Sequence, residues 1–496
     1  MTRNQLASTA PVGKYIENNF QLLLIFLLGL FLRICYLGAE SMWLDEIFSV
    51  EMSHLNPINI VKENMLQGDS NPPLYYVLLH YWVIMFGDSE FASRMLSVIP
   101  GSLSVLLIYK FGRELFNKNA GLIAALIMAV SVFQIKYSQE ARTYSLIVFL
   151  TLFSNYLFLR LLSGYRYKYV LGYVFITAAL IYAHYYWVFY VMAQNVYVFT
   201  KLILNPRGEW PGFKRWIAVQ FILVVVWLPE FILLKGADAM HEGFWRARPD
   251  IHTVIDTILQ FSGSLQLLIL FFVLSAFTVV SAVGANFKSG PKETVNRAGS
   301  LPQDSPFSNT IDRVYFLIVL LFTPIIFAFI ISRVFNPIYG DRYLIGASPA
   351  LYVLIAAGID NLGFKKLQVV AVILIVCLSL LGIYRYYLSA DKHQWREAVY
   401  YIEENASPGD LIMVSPDFEL RSLEYYLKRN DLGAVELSRQ SNLDFGLKNG
   451  KAWVVCPDHS GQDAPVDEDS LKQYNKILSE KNYNKVKIYL LTGKSD

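Results

Sequence analysis

The stretch Met42 to Leu74 opens with Trp43-Leu44-Asp45-Glu46 and closes with Asp69-Ser70-Asn71-Pro72-Pro73-Leu74. It follows the first long apolar run, Phe20 to Leu37, so its paired acids fall just past a membrane span. Carboxylates there are costly unless they face water or a partner, which makes Asp45 and Glu46 candidates for an active site at a bilayer surface. The plain alternative is that any polar loop carries some Asp and Glu, and the acids alone do not separate the two readings.

Composition sets the class. The chain has 496 residues, of which 54% are hydrophobic, 15% aromatic and only 17% charged, far more apolar than a soluble globular protein. Many runs approach the roughly 20 apolar residues that a helix needs to cross a bilayer. A polytopic helical membrane protein is therefore expected. The net charge of +3 does not point to nucleic acid, because the basic residues sit in short clusters between apolar runs, where they act first as topology signals. Cys35, Cys377 and Cys456 give neither a disulfide framework nor a metal spacing. The first run is longer than a typical signal core and Arg33-Ile34-Cys35-Tyr36-Leu37 lacks a small-residue cleavage site, so a retained span is expected.

Twelve apolar runs can be drawn between residues 20 and 386. If all twelve cross, Lys110, Arg113 and Lys118 face outward, against the positive-inside bias. The run 73–87 is the shortest, begins at Pro72-Pro73 and contains His80. Placing it in the outer interface removes the conflict. About eleven spans result, with the amino terminus inside and the carboxyl terminus outside. The outer side then collects the 38–94 loop, the turn Lys136 to Arg142, His184-Tyr185-Tyr186, the 235–255 loop and Asn336 to Tyr343. The 285–312 stretch, rich in Ser, Gly, Pro and Asn, reads as a flexible inner loop.

After about residue 390 the pattern changes. Helical spacing over Trp395 to Asn405 and Ser422 to Lys428 alternates with strand patterns at Leu411 to Val414 and Ala452 to Cys456. A further helix at Ser470 to Ser479 and strand at Val486 to Leu491 complete the expectation of a small α/β domain over 390–496, behind a membrane domain over 1–389. No fixed-period repeat is visible, which weakens a solenoid or an inverted-repeat transporter.

In order along the membrane part stand Leu32-Arg33, Trp43-Leu44-Asp45-Glu46, Asn71-Pro72-Pro73-Leu74-Tyr75-Tyr76 and Phe86 to Arg94. Tyr137-Ser138-Gln139-Glu140-Ala141-Arg142-Thr143-Tyr144, His184-Tyr185 and Arg342-Tyr343-Leu344 ahead of Pro349 continue the series. Together they resemble the polytopic GT-C glycosyltransferases of the protein-mannosyltransferase type, which include the aminoarabinose transferases of lipid A. The resemblance implies an inverting transfer from a polyprenyl-phosphate sugar to an acceptor, which can be lipid, polysaccharide or protein. It also implies an outer-face site in a multi-pass membrane protein. A bacterial plasma membrane is expected, because the large inserted luminal domains of eukaryotic protein mannosyltransferases are missing. Where the family often has His or Lys before the Pro-Pro pair, this chain has Asn71, so neither mannose nor aminoarabinose specificity is carried over.

The chemistry assigns roles. An acceptor hydroxyl loses its proton as it attacks the anomeric carbon, so a positioned carboxylate is needed. Asp45 matches the family's catalytic acid. Glu46 orients it, holds a metal, or forms an ordinary ion pair. The leaving lipid phosphate needs cationic donors, for which Arg342 at a span end is the first choice, with snorkelling to headgroups as its alternative. Arg142 and Arg94 are secondary phosphate candidates, or brace the fold, Arg142 against an acid of the first outer loop. Glu140, Asp69, Asn71, His184 and Tyr343 complete the substrate-site candidates, with a membrane-interface aromatic belt as the alternative for His184. Asp45, Glu46 and Glu140 are oxygen donors of the kind that hold Mg²⁺ or Mn²⁺, and a metal-free carboxylate base is equally consistent. A secondary transporter and a non-catalytic scaffold for envelope polysaccharide assembly are the competing classes.

Overall fold

A computed structural model describes residues 10–66, 71–164, 166–204, 213–235, 247–289, 307, 309–389, 392–436, 451–457, 471 and 475–493. Asp69, most of the 285–312 loop and the middle of the 235–255 loop lie outside the described residues.

The chain begins with α1 (Ala10–Ile34), whose apolar part is Phe20–Ile34. Three short helices follow: α2 (Leu44–Ser53), α3 (Pro57–Leu66) and α4 (Leu74–Phe86). The 13 residues of α4 are too few to span, in keeping with the placement of 73–87 outside the set of spans. Next come α5 (Glu90–Leu115), α6 (Lys118–Val130), α7 (Val132–Ser138), α8 (Tyr144–Ser163), α9 (Tyr167–Ile181), α10 (Trp187–Leu204) and α11 (Phe213–Lys235). The membrane part ends with α12 (Ile251–Ser262), α13 (Leu265–Ser289), α14 (Thr310–Val334), a 3₁₀ turn at Asp341–Ala347, α15 (Ser348–Asp360) and α16 (Lys365–Leu388).

Eight stretches among the described residues are long and apolar enough to cross a bilayer: α5, α8, α10, α11, α13, α14, Asp341–Asp360 and α16. The pair α6 and α7, bent by 58°, makes a ninth if counted as one span. These nine account for all but two of the eleven stretches counted from the sequence. The two other stretches counted from the sequence are the apolar part of α1 and the 15-residue α9. At 1.5 Å per residue, 15 residues reach roughly 22 Å, short of a hydrocarbon core of about 30 Å.

The bend has a local cause. Ser131 leaves the helical region, with φ −69° and ψ 118°, which ends α6. Its hydroxyl then accepts from the Gln134 N–H and starts α7. Carbonyls at the end of α6 lose their intrahelical donors. Arg33 from α1, fully buried, supplies replacements: Nη2 donates to Met128 O at 3.1 Å, Nη1 to Ala129 O at 3.3 Å and Nε to Ser138 Oγ at 3.2 Å. Gly101 of α5 makes room for this contact, since a Cβ there would overlap Ser138 Oγ. Beyond the bend, Gln139 donates to the carbonyls of Arg33 and Cys35, so the turn that follows α7 is fastened to the end of α1.

The C-terminal part is a five-stranded sheet of order β2-β1-β3-β5-β4 with helices α17 (Trp395–Asn405) and α18 (Leu420–Tyr426). Its strands are β1 (Leu411–Val414), β2 (Gly433–Glu436), β3 (Lys451–Pro457), β4 (Asn475–Tyr483) and β5 (Val486–Gly493). β1 pairs in parallel with β2 and β3, while β5 runs antiparallel to β3 and β4. Side chains alternate between two apolar clusters, Ile412, Val414, Trp453, Val455 and Ile488 on the helix face and Met413, Val454, Tyr489 and Leu491 on the other.

The helix expected at Ser470 to Ser479 is corrected, because its described part from Asn475 belongs to β4. A two-residue turn, Asn484-Lys485, with Lys485 at φ 57°, folds β4 onto β5, and that pairing outweighs the local helical spacing. β2 was not anticipated from the sequence.

This sheet domain seats on the first outer loop. Met42 N–H donates to Tyr426 Oη at 2.7 Å, Ser41 Oγ to Glu397 at 2.8 Å, and Arg396 pairs with Glu90 at 3.0 Å.

Candidate active site

Asp45 and Glu46 fall in the first turn of α2. Consecutive helical residues point about 100° apart, so the two carboxylates face different surroundings. Asp45 keeps 28% of its side-chain exposure, and its Oδ2 stands 3.4 Å from Arg342 Nη1 and 3.9 Å from Arg142 Nη2. Both lie beyond ordinary hydrogen-bond length, so the pairing is loose.

Glu46 is completely buried and takes four donors. Arg94 Nε reaches Oε1 at 2.8 Å and Arg94 Nη2 reaches Oε2 at 2.9 Å. Ala141 N–H donates to Oε1 and Lys392 Nζ to Oε2, each at 2.8 Å. Burial pushes its pKa up, but Arg94 and Lys392 outweigh that and hold the carboxyl at about 2. Of the roles open to Glu46, the structure shows an ion pair.

Arg342 starts the 3₁₀ turn before α15, where Gly340 and the Asp341 side chain set its backbone. Its guanidinium lies 5.3, 5.8 and 5.2 Å from the ring centres of Trp43, Tyr144 and Tyr343. With 18% of its side chain exposed, it is caged by aromatic faces rather than extended to lipid headgroups. His184 is buried with its ring centre 4.7 Å from that of Tyr343, tilted by 46°, while its Nδ1 accepts from the Tyr186 N–H. Arg142 donates to the Asp45 carbonyl, Ser49 Oγ and Tyr76 Oη, all at 3.2 Å, so it braces α2 as well as facing the Asp45 carboxylate. Around this centre Trp43 Nε1, Tyr144 Oη and Glu140 Oε2 are buried with no hydrogen-bond partner among the described residues.

Thus Asp45, Arg142, Arg342, Tyr343 and His184 come together. Arg94 does not join them: besides Glu46 it donates to the carbonyls of Leu37, Glu40 and Ser41, which uses its guanidinium to tie the first outer loop to α5. Asn71 is buried, its carbonyl accepting from Asn64 Nδ2. Glu140 is buried beside Lys392 and Glu46, where burial raises its carboxyl to about 7. Among the described residues no three His, Cys, Asp or Glu side chains gather as metal ligands. With Glu46 saturated by cations and an N–H, the three expected oxygen donors do not fit a shared Mg²⁺ or Mn²⁺. Sequence reasoning missed Trp43, Tyr76 and Tyr144 as site walls, and it missed Lys392. A lysine on the side of the membrane expected to be poor in basic residues was the available signal for the last.

Residues 70–229 match the sequence model of the family described as dolichyl-phosphate-mannose-protein mannosyltransferase. No curated protein matches the chain by sequence. Two crystal structures of ArnT from Cupriavidus metallidurans, apo and bound to undecaprenyl phosphate, share the fold. Each has a TM-score of 0.57 at 11% identity, and the alignments cover 97% and 98% of this chain and 98% of theirs. The archaeal oligosaccharyltransferase AglB from Archaeoglobus fulgidus, in complex with an inhibitory peptide and a dolichol-phosphate, aligns with a TM-score of 0.53 at 12% identity. That alignment covers 84% of this chain and 64% of AglB. The chain is therefore a multi-pass membrane protein with the fold of ArnT, and its residues 70–229 resemble the dolichyl-phosphate-mannose-protein mannosyltransferase family.

Proposed function

We propose that this protein transfers a sugar, with inversion, from a polyprenyl-phosphate-linked donor to an acceptor hydroxyl on the outer face of the membrane. The observation that carries the reading is the pairing of a half-open carboxylate, Asp45, with a caged guanidinium, Arg342, 3.4 Å away. Single displacement at an anomeric carbon needs a base on the attacking side and an anion site on the leaving side. Asp45 Oδ2 takes the hydroxyl proton, the acceptor oxygen bonds to the anomeric carbon, and the electron pair of the breaking C–O bond goes to the lipid phosphate. Arg342 binds that phosphate through its planar fork. As the phosphate engages Arg342, the cation is drawn from Asp45 and leaves its carboxylate facing the acceptor. Trp43 Nε1 and Tyr144 Oη are the remaining donors beside the phosphate. No step passes through a metal.

The lipid class is supported by the undecaprenyl phosphate and dolichol-phosphate held in the solved ArnT and AglB structures. Lipid, polysaccharide and protein acceptors all present the hydroxyl that this chemistry requires. The accompanying topology puts the amino terminus in the cytoplasm and the carboxyl terminus outside a bacterial plasma membrane. Mass spectrometry of the lipid that co-purifies with the protein is the test. A polyprenyl-phosphate glycoside is expected, and its absence, together with no transfer from supplied donor, overturns the reading. A tag after Asp496 should be reached from outside the cell, and access from inside alone reverses the topology.

A further inference from the structure

Lys392 lies in the link between α16 and α17, outside the spans and outside every motif that marks the site. Its ammonium donates to Glu46 Oε2 at 2.8 Å and approaches the Gln139 carbonyl at 3.4 Å. Only 11% of its side chain is exposed, so a charge has been taken out of water to make these contacts. Arg94 already gives Glu46 a bidentate cation, so neutralising Glu46 does not by itself call for a second one.

What Lys392 adds is connection. Glu46 directly follows Asp45 on α2 and accepts from the Ala141 N–H, one residue before Arg142. Asp45 and Arg142 therefore hang from a single knot made of Glu46, Arg94 and Lys392. Glu140 is buried in the same knot. The outer side of Lys392 faces a pocket of about 210 Å³ lined by Tyr36, Glu40, Gln139, Tyr386 and Tyr387, so replacements of similar length have room.

We propose that Lys392 is a positioning residue for sugar transfer: by holding Glu46 against the 139–142 turn it sets the separation of Asp45 and Arg142, and so makes the seated sheet domain a condition of turnover. The inference rests on the proposed glycosyl transfer. Small displacements at a reacting centre cost rate far more than affinity, up to about 100-fold for roughly 1 Å.

In the full-length protein, Lys392→Gln should lower kcat by about 10- to 100-fold with donor KM changed by less than a few-fold, and Lys392→Arg should restore most of kcat. Unchanged kcat, or a loss confined to donor KM, overturns the inference. Labelling of Asp45 by a water-soluble carbodiimide, read by mass spectrometry, gives a second measure that needs no turnover. The rate should rise severalfold in Lys392→Gln and return in Lys392→Arg, whereas equal rates overturn the inference. If the wild-type protein transfers no sugar, the proposed function fails while the labelling still decides the geometry. Should Lys392→Gln not fold, Lys392→Met is read the same way. If neither folds while Lys392→Arg does, Lys392 serves folding alone and the inference is overturned.

Discussion

Two neighbouring residues on one helix show how this protein separates work from structure. Asp45 looks out on a partly open space with two arginines at 3.4 and 3.9 Å, while Glu46 is sealed under four donors at 2.8–2.9 Å. A carboxylate with every lone pair committed has none to offer a substrate hydroxyl at neutral pH, whereas one held loosely is open to it. The acid proposed as the base is thus the less well bound of the pair, and the better bound one fixes the helix turn that carries both.

The sharpest way to break this contrast is to neutralise each acid in turn. Asp45→Asn should lower transfer by about 1,000-fold, the order lost with a general base, with the thermal midpoint unchanged. Near-normal turnover with purified donor and acceptor would remove Asp45 as base. Glu46→Gln should do the opposite kind of damage, destabilising the protein by about 3–5 kcal/mol because it strands Arg94 and Lys392 without their buried counter-charge. A thermal midpoint in detergent equal to wild type would mean that the sealed side is not structural.

Arg342 tests the open side from the phosphate. Arg342→Lys keeps the charge but loses the planar fork and its stacking, so donor-lipid affinity should fall by about tenfold, measured by binding of a polyprenyl phosphate. Unchanged affinity would leave the aromatic cage as packing only.

The sealed side also predicts a pH dependence of stability. Burial, reinforced by Glu46, holds the Glu140 carboxyl at about 7 against the opposing Lys392, Lys136 and Arg342, compared with an ordinary value of 4.5. The folded state therefore keeps a proton that the unfolded chain releases. Stability from this group is intact below about pH 4.5 and declines as pH rises from there to about 7. Glu46 has the reverse sign: its contribution is present above pH 4.5 and is lost as pH falls toward 2. In Glu140→Gln the decline between pH 4.5 and 7 should vanish from the thermal midpoint profile, and a profile parallel to wild type would show that Glu140 does not titrate there.

The membrane class was legible because apolar run length is a direct physical requirement. Asp45 and Arg342 were legible because charged residues at span ends need a reason to be there. Arg94 and Glu46 were harder: both are charged, both sit beside the site, and only three-dimensional pairing shows that they spend themselves on each other. Lys392 was illegible as a partner because its contact with Glu46 spans most of the chain. Strand β4 was misread for a related cause, since its pairing with β5 overrode the local spacing from which a helix was expected.

The Arg33 bridge at the bend between α6 and α7 extends the contrast into the bilayer. A flexible elbow there would let the 139–142 turn drift, and with it Arg142 and the amide that holds Glu46. Because Arg33 binds carbonyls from the upstream limb and a hydroxyl from the downstream limb, the elbow is locked at one angle. Damage at this buried elbow would therefore surface as a misaligned 139–142 turn, so an inactive variant need not carry its lesion at Asp45 or Arg342.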